Sequence, residues 1–185
     1  MDTTTAIVIA IVLAVVIAAI VYVALRRRRS VKLRSRFGPE YERTMQDVGD
    51  RRRAEAELHD RQKRVAKFDI RPLTVSERDR FTDAWRTIQA EFVDQPKQAV
   101  IKADDLLTEV MRARGYPTED FEQRSADLSV DHPSVVQNYR AGRELAVRDG
   151  QGQAVTEDLR QAMIHFRALF DELVGEDAGE ARHAG

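Results

Sequence analysis

Four histidines, His59, His132, His165 and His183, and the adjacent carboxylates Asp104-Asp105 and Glu119-Asp120 are the side chains whose types could support acid–base or metal chemistry. Asp131 directly before His132 suggests a carboxylate orienting an imidazole base. Such a base needs a reacting group held about 3 Å away, and neighbours at the start of a helix rarely arrange that. Asp followed closely by Pro is also a common way to begin a helix, so Asp131-His132-Pro133 is expected to open one running to about Arg148. The histidines show no H-x-x-x-H spacing that would turn two imidazole ligands to one helical face. His165, with Asp158 and Leu169 as rough helical neighbours, reads as the edge of the last helix. Adjacent carboxylates on a helix diverge by about 100°, unlike the converging pair of a glycosidase, and read as solvated or capping charges.

Neither a phosphate-cradling G-x-x-x-x-G-K-[ST], nor G-x-G-x-x-G, nor G-x-S-x-G occurs. Without Cys there is no thiol nucleophile, disulfide or thiolate metal site. No catalytic, cofactor-binding or metal-ligating residue is assigned, no cofactor is expected, and the chain is not read as an enzyme. The rival reading is a small helical ligand-binding protein or enzyme using His132 and a pocket lined by Phe81, Trp85, Phe92, Phe166 and Phe170. Those aromatics recur at helical spacing, which fits a core better.

The elements that would position these residues are helical. Charged residues make up 33% of the chain, Gly and Pro number 9 and 5, and no run alternates apolar and polar in the manner of a strand, so an all-α fold is expected. Thr74 and Glu77 form a T-x-x-E capping box that starts a helix near Val75, with Phe81, Trp85, Ile88 and Phe92 on its apolar stripe. Gln95-Pro96 begins a second helix, faced by Val100, Ala103, Leu107, Val110 and Met111 and stopped at Gly115. Thr118, followed by Glu119 and Asp120, is expected to cap a short helix with Phe121 and Leu128 inward. Val135, Val136, Tyr139 and Leu145 are available for burial on the next helix. Thr156 is expected to cap the last, whose face is Leu159, Met163, Phe166, Leu169, Phe170 and Leu173.

Residues 6 to 25 hold no charge, and twenty residues at about 1.5 Å each can cross a hydrocarbon core of roughly 30 Å. Charge follows the run instead of preceding it, the reverse of a signal peptide, so a retained transmembrane helix is expected. Arg26, Arg27, Arg28, Arg29, Lys32, Arg34 and Arg36 lie on one flank and only the terminal amine on the other. The positive-inside rule then puts the N-terminus outside and the rest in the cytoplasm. The same cations could hold anionic lipid headgroups. Beyond residue 36 there remain 23 basic residues against 30 acidic ones, a balance of −7 that speaks against nucleic-acid binding.

The expected organisation is a short outer N-terminus (1–5), the span (6–25), a basic juxtamembrane segment (26–36), a polar helical stalk (37–69), an all-α domain of four or five helices (70–174) and a disordered tail (175–185). The stalk's apolar seam begins at Tyr41, Met45 and Val48 and fails near Gly49, too short for a sustained coiled coil.

The phrases "RFGPEYERT", "DIRPLTVSERDRF", "EFVDQP" and "VMRARGYPTEDFEQRSADLSVDHPSVVQNYR" resemble a family of uncharacterised bacterial proteins with a short anchor and the same helical domain, some of them labelled secreted. The resemblance covers nearly everything after the uncharged run. It implies a bacterial envelope location, leaves an extracytoplasmic domain as the alternative topology, and brings no activity, ligand or functional residue. The leading expectation is a membrane-tethered adaptor or scaffold with a protein partner. A self-associating structural envelope protein is the third reading.

Overall fold

A computed structural model describes residues 3–118, 120–150 and 155–175, except for the side chains of 3–11, 15, 23, 25, 26, 29, 149 and 150. The described residues are predominantly helical and contain no strand. Among them no helix is long and apolar enough to cross a membrane. Many side chains of the uncharged run 6–25 lie outside the described residues, as do those of Arg26 and Arg29. Glu119, His183, residues 151–154 and those from 176 onward, where the tail was expected, lie outside them too.

The chain divides into two compact units, residues 1–58 and 59–185. In the first, α1 (Thr3–Phe37) is one continuous helix, so the uncharged run and the basic flank share an axis. Gly38 at φ 47 turns the chain into α2 (Pro39–Val48), which starts on a proline and ends at Gly49 with φ 70. That left-handed stop falls where the apolar seam fails. The segment expected as a solvated stalk nonetheless buries Phe37, Tyr41, Ala54 and Leu58, together with the polar Glu40 and Thr44. Its interior is partly polar: the Tyr41 hydroxyl donates to Glu55 at 2.9 Å, and Arg51 donates to the same carboxylate. Burial opposes the charge on Glu55, but hydrogen bonds from Ser30, Arg51 and Tyr41 outweigh it and hold its pKa below the usual value.

Helix α3 (Arg51–Val65) runs across the boundary between the units. The second unit's main body is five helices: α4 (Val75–Glu91), α5 (Pro96–Arg114), α6 (Phe121–Asp131), α7 (Val136–Gly150) and α8 (Thr156–Gly175). The Thr74/Glu77 capping box forms as expected, and Phe81, Trp85 and Ile88 are buried with Phe92 packed at the edge. Every expected apolar residue of α5 and α8 is buried. Gly115 takes φ 96 at the end of α5, and a Cβ there would lie 2.2 Å from the Asp69 carbonyl oxygen. Only glycine therefore allows residues 69–71 to run against this turn, where the Arg71 N–H donates to the Arg114 carbonyl.

Three expected helix starts are corrected. Asp120, not Thr118, caps α6, its carboxylate accepting from the Gln123 N–H at 2.8 Å. Thr156 is the first residue of α8; Asp158 reaches back to accept from the Val155 N–H. Asp131 ends α6 instead of opening α7, because the helical hydrogen bonds continue to His132, whose N–H donates to the Leu128 carbonyl.

Candidate functional site

Helix α5 presents Asp104 toward α6 and α7, and a polar cluster forms around it. Its carboxylate pairs with the Arg143 guanidinium of α7, and the Tyr139 hydroxyl lies 3.5 Å from its other oxygen. Arg124 of α6 sits over the rings of Phe121 and Tyr139, 5.8 and 5.7 Å from their centroids, and donates to the Thr118 carbonyl. Arg143 lies 5.6 Å from the Phe121 ring, so two guanidiniums stand close to one aromatic.

Asp104 is only 8% exposed. Burial pushes its carboxyl pKa up, while Arg143 and Arg124 pull it back only in part. Burial and the nearby Asp104 charge push the Tyr139 hydroxyl well above its usual range. A neutral phenol and a carboxylate committed to a guanidinium form a clamp between helices.

Outside the clamp lies an open recess of about 240 Å³ between α5 and α7, lined by Ile101, Asp104, Asp105, Arg143, Ala146 and Val147. Small-molecule sites occupy roughly 300 to 1,000 Å³ and enclose most of the ligand. This recess is of a size for one or two protruding side chains. Ile101 and Val147 flank it at 52% and 47% exposure.

Asp105 is exposed as expected, whereas Asp104 was expected at the surface and is buried. Its position was legible: Asp104 falls four residues after Val100 and three before Leu107, within the apolar stripe. Tyr139, expected to be available for burial, is fully buried, whereas Arg124 and Arg143 carried no comparable signal, because the residues they meet lie on other helices.

His132 is 1% exposed, with Nδ1 3.5 Å from Glu172 Oε1 and its ring 6.3 Å from that of Tyr116. The Asp131 carboxylate accepts from the Tyr116 hydroxyl at 3.1 Å. This group ties the α6 end to α8. His165 pairs through Nδ1 with Asn138 at 3.2 Å, and His59 is exposed. No group of three His, Asp or Glu among the described residues could hold a metal ion. Of the aromatics considered for a pocket, Trp85 and Phe170 stack at 4.7 Å within the core. Comparison with family models, curated proteins and solved structures yields no match.

Proposed function

We propose that this chain is a membrane-tethered helical interaction module of the bacterial envelope, anchored by residues 6–25 with its N-terminus outside, and that the recess between α5 and α7 docks a protein partner on the cytoplasmic side. The observation that carries the docking reading is the pairing of exposed Ile101 and Val147 around a half-open polar recess too small for a typical ligand. Asp105 at its mouth and the balance of −7 beyond residue 36 favour a partner segment that combines an apolar anchor with a cation. Support for the anchor comes from the uncharged twenty-residue run and the one-sided basic flank.

Paired C-terminal fusions, one reporter active only in the cytoplasm and one only outside it, test the topology. Signal from the external reporter alone would overturn the orientation. For docking, a photo-crosslinking residue at position 101 in cells should capture one defined protein, while the same probe at exposed Val75, at the opposite end of α4 from the Glu91–Lys102 pair, should not. Val147→Lys, which sets a cation against the expected cation, should abolish that capture. Equal capture from both positions would refute the recess as the docking face.

A further inference from the structure

The seven juxtamembrane cations are not equivalent. A helix turns about 100° per residue, so a continuous α1 places residues 27, 28, 31, 32, 35 and 36 within roughly one half of its circumference. Ser30, Leu33 and Phe37 fall on the other half. Ser30 and Phe37 are buried and Leu33 is half-buried, whereas residues 27, 28, 31, 32, 35 and 36 are all exposed. Arg34, at the margin, is committed to Glu42 of α2 at 2.8 Å. The exposed half forms an open surface of Arg27, Arg28, Lys32 and Arg36 around Val31 and Ser35.

We infer that Arg27, Arg28 and Lys32 form a binding face for the headgroups of anionic phospholipids. The inference rests on the anchor reading, which sets where this helix stands relative to the bilayer. Polar headgroup layers add about 5 to 7 Å on each side of the hydrocarbon. From residue 25 the helix rises about 3 Å to Arg27, 5 Å to Arg28 and 11 Å to Lys32. The first two stand inside the layer, and the flexible Lys32 chain reaches back into it. Arg36, about 17 Å out, stands about 10 Å beyond the layer, more than a Debye length of about 8 Å, whereas Lys32 is within that length of it. Headgroup phosphate supplies the complementary charge, and each cation near an anionic leaflet is worth about fivefold in affinity.

The test uses the full chain in nanodiscs of equal phosphatidylcholine and phosphatidylglycerol, with native mass spectrometry of the lipids retained in mild detergent. Wild type should retain phosphatidylglycerol several-fold over its share. R27Q/R28Q/K32Q should bring the ratio back to that of the mixture, and R34Q/R36Q should leave it enriched. Enrichment surviving in the triple variant, equal loss in R34Q/R36Q, or displacement of the lipid by an RNA homopolymer would overturn the headgroup face. Alkaline carbonate extraction of cells separates this from failure of the anchor. If the chain is released, the anchor reading falls. The headgroup face then stands only if the released chain sediments with phosphatidylglycerol vesicles through the same three cations, and falls if it does not.

Discussion

Asp104 on α5 is paired with Arg143 on α7, 39 residues further along the chain, and the Asp104 side chain is only 11% exposed while that of Arg143 is 40% exposed. Removing the cation strands a buried carboxylate, whereas removing the carboxylate frees a guanidinium that can turn to water. Arg143→Met should therefore destabilise the fold by about 2 kcal/mol, less than a fully buried pair would lose because Arg143 is partly solvated. Asp104→Asn keeps an acceptor for Tyr139 and should cost about 1 kcal/mol or less. Urea unfolding of both variants and their combination measures the coupling. The double variant should be no less stable than R143M, and strict additivity would show that the pair does not interact.

Acid should act on this fold with two opposite signs. Arg71, then the Thr74 N–H and hydroxyl, hold the Glu77 carboxyl at about 2 against an ordinary 4.5; Arg160 and Gln161 do the same for Glu157. Each contributes stability that is fully present above pH 4.5 and is lost as pH falls toward 2. Asp104 is raised above 3.8, chiefly by burial, so its contribution is greatest below 3.8 and declines as pH rises through its folded value. Carboxyl-carbon NMR titration should place Glu77 and Glu157 near 2 and Asp104 above 3.8. An Asp104 midpoint below 3.8 would mean that Arg143 outweighs burial.

What the sequence made legible was the spacing-driven part of the fold. The stripe from Phe81 to Ile88 and the stop at Gly115 follow from local rules, and the structure follows them. The caps at Thr118 and Thr156 were misassigned because T-E-D offers three oxygen-bearing side chains in succession. The packing of α6 and α8 decides which one meets the free N–H groups. At Asp131 the same ambiguity ran between a helix end and a helix start. The clamp was partly legible: Asp104 sits in its helix's apolar stripe, but Arg124 and Arg143 reach it only through tertiary packing. Likewise, Asp127 could not be foreseen as buried, because the cation that pairs with its Oδ1, Arg64 of α3, lies 63 residues away in the chain, at 2.8 Å.

Gly142 on α7 should resist the substitution that helix propensity recommends. Alanine in a helix interior gains about 1 kcal/mol over glycine. Here a Cβ would lie 2.6 Å from the Phe166 ring and 3.3 Å from the Ala162 carbonyl oxygen of α8, and Phe166 is fully buried and cannot swing aside. Gly142→Ala should therefore destabilise by about 1 to 3 kcal/mol net, as overpacked cores do. Phe166→Leu in the same chain should recover part of that loss. Thermal unfolding that finds G142A more stable than wild type would show that α7 and α8 do not approach this closely.

Trp85 tests the core from the opposite direction, by removing volume. It is 4% exposed and stacks on Phe170 at 4.7 Å with the planes 17° apart. Truncation to alanine should cost about 3 to 5 kcal/mol from lost burial and the cavity left behind. Phenylalanine should be tolerated far better than its smaller volume suggests. The indole Nε1 is buried without an acceptor among the described residues, so Trp85→Phe removes an unsatisfied donor as well as packing area. The two effects oppose each other, and the net change should be about 1 kcal/mol or less. Urea unfolding of both variants checks the argument: a near-zero effect of alanine would move Trp85 out of the core, and a phenylalanine cost close to alanine's would mean that the indole nitrogen is hydrogen-bonded in the folded protein.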